Sequence, residues 1–411
     1  MISDKLLDLA FQFKKEKLWK KLYDTELFAV AHADGTVGYC SVMGAMGEFF
    51  AIAVYPGAAG MDSFRLMGKD RALMNEPEAT ETAISQDCVM LSFENKDELR
   101  EREVHEVRAY CAKKGLTLRG RNAFPRFQRF RPRHIPWYLE DEADQTHLIE
   151  ALEAAFAVSQ RLDLTNPVSL GFAEGAPFDR EIPLLRKENG ALVWDAIALP
   201  QPQPIRYPSP KAHDEIALAK LSKSKSHSGT WLCDVFMHIN PMADDAGTDD
   251  AFHEPIHAPF YPLVLIIMDS ESGMIQRIEL SDNTEDDASP FMRAILDLAL
   301  KIGRPARVLV QNARAHALFE TLCAQLGTAL VLEESIPMLE DAIREFAEMA
   351  DRAEDEPDEE AEKLMELLRN PAVYSDMPIE GLLQLRAADE AGVLPKDVAA
   401  NVRRECEKRG L

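Results

Sequence analysis

Apolar residues fall at helical spacing through MISDKLLDLAFQFKKEKLWKK, with lysines between them, so residues 3 to 21 are expected to form an amphipathic helix. Three short apolar runs follow: LFAVAHA, VGYCSVMG and EFFAIAVY. Turn signals at Asp34-Gly35 and from Gly44 to Gly47 divide them into strands, the first being a hairpin cue. A helix is expected near Gly60 to Met67, then a strand in DCVMLSF, then a helix from Glu94 that Gly115 ends. A basic segment that holds a further strand precedes a last helix from Gln145 to Leu162. The order is βββαβαβα.

REIPLLRKENGALVWDAIAL, residues 180 to 199, has the pattern of a hairpin turning at Asn189-Gly190. PQPQPIRYPSP, residues 200 to 210, is punctuated by proline and marks the clearest boundary in the chain. Beyond it the same order returns. Strands are expected in WLCDVFMHI, PLVLIIMD, MIQRIEL, ARVLVQ and TALVLEE, with helices over 290–302, RAHALFETLCAQLG and PMLEDAIREFAEMA. The pattern therefore predicts an α/β (α+β) protein with two mixed-sheet domains. Residues 1–165 form the first, 166–210 a hairpin and linker, 211–350 the second, and 351–411 an acidic linker and helical tail.

Composition narrows the class. With 46% hydrophobic residues the chain can bury sizeable cores. Its longest apolar run, around Leu263 to Met268, is far too short to span a bilayer. The N-terminal pattern lacks the continuous apolar block of a secretory signal, and a cytoplasmic protein is expected. The six cysteines stand singly, as reduced core residues do. A net charge of -24 repels a phosphate backbone, so a protein partner is favoured over nucleic acid and no membrane is expected.

Two stretches invite chemistry that their surroundings oppose. HEPIH, residues 253 to 257, has the H-E-x-x-H spacing of zinc hydrolases. That motif needs a continuous helix to place both imidazoles on one face, and Pro255 and Pro259 disrupt one here. His253 and His257 are expected in a loop, with no metal. The second stretch, from Lys113 to Leu139, offers Arg119, Arg121, Arg126, Arg129, Arg131 and Arg133 among aromatic residues, a candidate basic surface for single strands. The alternative is an edge strand whose arginines pair with carboxylates, which Pro125, Pro132 and Pro136 suit. Neither a phosphate-binding G-x-x-x-x-G-K-[ST] loop nor a G-x-S-x-G elbow is present.

WLCD at 231–234, VLIIMDSESG at 264–273 and GRPARVLVQNARAHALFETLCAQLG at 303–327 carry a resemblance. Together they resemble, over about 120 residues, the ribonuclease H-like catalytic core of integrases and transposases. The resemblance implies that Asp234 matches the first catalytic aspartate, and that Asp269 and Ser272 match a non-catalytic turn. Gln311 stands where the second catalytic aspartate belongs, and Asn312 keeps the asparagine that follows it. The catalytic glutamate would come from the last helix, where Glu340 and Glu345 are available. It also implies that the WLCD and ARVLVQ strands are parallel neighbours. The whole chain resembles bacterial proteins built of accessory domains of unknown function.

Two-metal phosphoryl transfer needs carboxylates that hold divalent ions close together. An amide at position 311 supplies no charge. Asp234, on a strand apolar on both faces, is costly there unless hydrogen-bonded, with Gln311 or His238 as the expected partner. The expected function is a non-catalytic binding or scaffold role on a degenerate ribonuclease H-like domain, with no cofactor. The rival is a metal-dependent nuclease or transposase-type enzyme centred on Asp234, and the third reading is a zinc hydrolase at His253 and His257.

Overall fold

The computed structural model describes residues 1–411 except 48, 69–75, 173–180, 225–226, 243–258, 282, 356–366, 391–395 and 410–411. HEPIH therefore lies outside the described residues. The chain divides into two compact units, 1–339 and 340–411.

In the first unit, α1 (Asp4–Glu16) leads into β1 (Phe28–Ala31), β2 (Val37–Met43) and β3 (Phe50–Pro56). Then come α2 (Gly57–Met67), α3 (Glu76–Ala83), β4 (Cys88–Glu94), α4 (Glu101–Lys114), β5 (Phe124–Phe130), β6 (Trp137–Tyr138) and α5 (Glu142–Leu162). The hairpin β7 (Glu181–Glu188) and β8 (Ala191–Ala198) follows. Asn189 and Gly190 both take positive φ, as an Asn-Gly turn of this kind requires.

These strands make one eight-stranded mixed sheet, ordered β6-β5-β4-β3-β2-β1-β7-β8. The hairpin assigned to the linker region 166–210 on sequence grounds is thus part of the sheet, because β7 pairs in parallel with β1 through Ala29↔Leu184, Val30↔Leu185 and Ala31↔Arg186. Strand alternation decides the packing. Phe28, Val30, Ile52, Val54, Leu91 and Phe127 turn to the face where α1, α4 and α5 supply Phe13, Val107 and Leu152. Ala29, Ala51, Ala53, Tyr55 and Met90 turn the other way, toward Met61 of α2.

The second sheet uses β9 (Thr230–Met237), β10 (Leu263–Asp269), β11 (Ile275–Leu280), β12 (Arg307–Val310) and β13 (Ala329–Leu332). The helices α6 (Glu215–Lys223), α7 (Ala288–Ile302) and α8 (Ala313–Leu326) belong with it. The order is β11-β10-β9-β12-β13. β9, β10 and β11 run antiparallel, while β12 lies parallel to both β9 and β13. The adjacency of β9 and β12 is the one that a ribonuclease H-like arrangement implies. Trp231, Cys233, Val235, Leu265 and Ile267 pack on Phe291, Ile295, Leu318 and Leu322 of α7 and α8. The opposite face is buried too, at Leu232, Asp234, Val264, Ile266 and Met268.

Both sheets lie within the first unit. Polar ties run between the segments that carry them. Ile135 N–H donates to the Pro259 carbonyl at 2.8 Å, Tyr261 N–H donates to the Arg133 carbonyl at 2.7 Å, and Arg314 pairs with Glu81. The unit ends inside α9 (Pro337–Asp355). In the second unit, α10 (Ile379–Glu390) and α11 (Lys396–Arg409) build a small core from Leu382, Val398, Val402 and Cys406 with Leu368 and Tyr374.

Candidate functional site

The site forms where β9 and β12 lie side by side. Their parallel register runs from Arg307↔Thr230 to Val310↔Cys233, so the next residue of each strand, Asp234 and Gln311, meets its neighbour at matched height. Gln311 Nε2 donates to Asp234 Oδ2 at 2.7 Å. Oδ1 of Asp234 accepts from Asn312 Nδ2 and, at 2.7 Å, from the Val235 N–H. The carboxylate is 3% exposed, and both its oxygens are filled by neutral donors.

The two amides are themselves anchored. Asn312 is the N-cap of α8: its Oδ1 accepts from the Ala315 N–H at 2.8 Å, a role for which asparagine is among the best residues. Its Nδ2 also reaches the Val235 carbonyl at 3.2 Å. Gln311 Oε1 accepts from the Ile336 N–H at 3.2 Å, just before α9. Each amide thus donates to Asp234 and accepts from the backbone of the following segment. Burial pushes the Asp234 carboxyl above the usual carboxylate range, while the bonds from Gln311 and Val235, the Arg314 charge and the Asn312 bond oppose that rise.

The other residues implied by the resemblance fall in different places. Asp269 Oδ2 accepts from the Ser272 N–H at 2.8 Å and its hydroxyl at 2.6 Å, an Asx turn at the end of β10. His238, the other expected partner of Asp234, instead accepts at Nδ1 from the Asn240 N–H at 3.1 Å. Glu340 and Glu345 are exposed on α9, in the second unit. Among the described residues, no group of three or more His, Cys, Asp or Glu side chains could hold a metal ion.

The candidate basic surface is divided. Arg129 is 7% exposed and its guanidinium reaches Asp87 at 2.7 Å, Asp144 at 3.4 Å and the Cys88 carbonyl at 3.1 Å. Arg126 lies 3.6 Å from Glu103. Arg133, with φ at +65°, bonds both oxygens of Asp287, the Ser281 hydroxyl at 3.3 Å and the Tyr261 carbonyl at 3.1 Å. Arg131 lies over the Trp137 ring at 5.7 Å. Arg119, Arg121 and Arg131 are exposed. β5, which carries Arg126 and Arg129, is one strand in from the edge, covered only by the two residues of β6. Three of the six arginines are therefore bound up in carboxylate pairs inside the fold.

Sequence reasoning passed over Arg314, in the first turn of α8. It stacks on Tyr207 at 5.0 Å and pairs with Glu81. No local signal could have named those partners.

No helix among the described residues is long and apolar enough to cross a membrane. Two family models match the chain on either side of the proline-rich segment. Both are described only as domains of unknown function: DUF7309 over residues 4–179 and DUF6930 over residues 217–347. No curated protein matches it. Among solved structures, similarity is found to the HTLV-2 integrase catalytic core domain in complex with magnesium. The dimeric form is 12% identical with a TM-score of 0.18, covering 27% of this chain and 64% of that one. The trimeric form is 10% identical with a TM-score of 0.20, covering 44% and 85%. A simian T-cell lymphotropic virus intasome in complex with PP2A regulatory subunit B56 gamma is 16% identical, with a TM-score of 0.19, covering 44% and 50%. The chain thus spans less than two thirds of the first of these cores, and its mixed α/β class rests on its own two sheets.

Proposed function

We propose that this protein has a non-catalytic binding or scaffold role, exerted through a degenerate ribonuclease H-like domain in which amides have replaced metal at the old ligand position. The observation that carries this reading is the ligation of Asp234. Both oxygens are occupied by Gln311, Asn312 and the Val235 N–H, and the only charge among these four groups is the carboxylate itself. Hard divalent cations need several oxygen ligands with compensating negative charge, and a two-metal site needs them twice over. An amide whose oxygen is already held by Ile336 has its nitrogen, not its oxygen, turned to the carboxylate.

The setting we infer is the bacterial cytoplasm, and the partner is a protein. A chain with 70 acidic against 46 basic residues repels polyanions at long range, and Arg126, Arg129 and Arg133 already pair with carboxylates within the fold.

Manganese binding tests the reading. Calorimetric titration of the full chain is expected to show no saturable site at Asp234, and Gln311→Asp is expected to create one by restoring a second carboxylate. Saturable binding by the unaltered protein that Asp234→Asn abolishes would overturn the proposal in favour of metal-dependent phosphoryl transfer.

A further inference from the structure

A second polar cluster lies far from Asp234, in the first sheet. His32 follows β1 directly and is 6% exposed. Its Nδ1 lies 2.7 Å from Glu150 Oε2 on α5. Its ring stacks on that of His147, one turn earlier on the same helix, with centroids 4.2 Å apart and planes inclined by 28°. His147 Nε2 in turn lies 2.8 Å from Asp34 Oδ2, in the turn between β1 and β2. Asp34 is fixed there by the Thr36 N–H at 2.9 Å and the Thr36 hydroxyl at 2.7 Å. Two imidazoles and two carboxylates thus fasten the β1–β2 hairpin to α5.

The remaining ring nitrogen of His32 decides the chemistry. Nε2 is fully buried and no described residue offers it a hydrogen bond. It points at the backbone of β2 so closely that a Cβ at Gly38 would meet it at 2.5 Å, beside Val54 of β3. With Nδ1 committed to Glu150, the neutral imidazole carries its single proton there and leaves a bare lone pair on Nε2. A second proton would bury an N–H with no acceptor and set a cation against the His147 ring. Around the cluster, β7 contributes Lys187, which bonds Glu153 at 2.7 Å, and Arg186, which pairs with Glu188 and with Asp195 at 3.4 Å. Both are cations held by carboxylates of their own, and neither can accept a proton. β3 places apolar Val54 beside it.

We propose that this stack is an acid-released latch, which holds the β1–β2 hairpin on α5 while His32 bears one proton and lets go when a second is forced onto Nε2. Burial depresses the His32 pKa, and the bond to Glu150 restores it only in part. The sign follows. A histidine in the opened segment titrates near 6.5, whereas the latched one stays neutral below that, so the latched state binds fewer protons. Its stability is complete above about pH 6.5 and falls by a factor of about ten per pH unit below it, until His32 protonates in place.

Hydrogen exchange on the full chain, corrected for intrinsic rates and compared at about pH 7 and about pH 5.5, is expected to show protection in the hairpin and in α5 falling about tenfold at the lower pH. His32→Gln, whose amide can still donate to Glu150, should lose that dependence. Unchanged protection in the natural chain, or an equal acid loss in His32→Gln, would overturn the latch. If the variant does not fold, the ring-nitrogen NMR shifts of the natural protein decide. An unprotonated Nε2 at about pH 5.5 supports the proposal, and an ordinary titration near 6.5 refutes it.

Discussion

Replacing Gln311 by Glu tests directly whether Asp234 is held by an amide. The change keeps the side chain's length and leaves one oxygen to accept from the Ile336 N–H, as Gln311 Oε1 does at 3.2 Å. The Nε2 donor, 2.7 Å from Asp234 Oδ2, becomes a second carboxylate oxygen. Two like charges at that separation repel by about 6 kcal/mol at an effective dielectric of about 20. Protonating a carboxyl of ordinary pKa at pH 7 costs less, about 4 kcal/mol. The pair therefore takes up a proton and shares it, as close carboxylates do. The variant should be less stable by about 4 kcal/mol at pH 7, and the deficit should shrink by about 1.4 kcal/mol per pH unit on acidification, to about 1 kcal/mol at pH 5. Urea denaturation of both proteins at several pH values measures this difference, with buried Trp231, three residues from Asp234, contributing to the fluorescence signal. A deficit below about 1 kcal/mol at pH 7, or one that does not change with pH, would mean that residue 311 does not hold the aspartate.

Asn312→Ala removes a helix cap and a donor to a buried carboxylate, and should cost about 2–4 kcal/mol, with hydrogen exchange rising first in the opening turns of α8. Arg133→Ala strands Asp287, itself 19% exposed, and should cost about 2–3 kcal/mol in urea denaturation, whereas alanine at exposed Arg119 or Arg121 should stay within about 0.5 kcal/mol. Gly38→Ala drives a methyl to within 2.5 Å of His32 Nε2 and 2.7 Å of Val54, and calorimetry should register a loss of about 2–3 kcal/mol. Single-stranded DNA should bind weakly at physiological salt, as read by fluorescence anisotropy. Tight binding with a steep salt slope would restore the arginine segment as a nucleic-acid surface.

Local pattern made the strands of both sheets legible except β6, whose two residues are too few for an alternation to register. LVLIIMD, apolar throughout, announces a strand covered on both faces, and Asn189-Gly190 announces its hairpin. The meeting of Asp234 with Gln311 was legible only through the resemblance, since β9 and β12 are joined by a long excursion that periodicity does not register. Asn312 could have been found as a cap, standing just before an alanine-rich helical run. What the sequence does not encode locally is where an element docks. Nothing in REIPLLRKE says that it will lie beside β1, and nothing in FRPRH distinguishes Arg133, with its partner 154 positions away, from its exposed neighbour Arg131. Such choices are settled by tertiary complementarity alone.

The parallel pairing of β1 with β7 carries a consequence for how the chain emerges during synthesis. β1 finds β2 within a few residues, but its other edge stays open until residue 186 has been made. Phe28, Ala29 and Val30 lie along that edge, and such an unpaired apolar margin is a template for joining another chain. A fragment stopped at residue 179, where the first family match ends, would keep every helix that covers the sheet yet leave that margin permanently open. It should therefore aggregate. Carrying the fragment on through Ala198 supplies the two strands that close it.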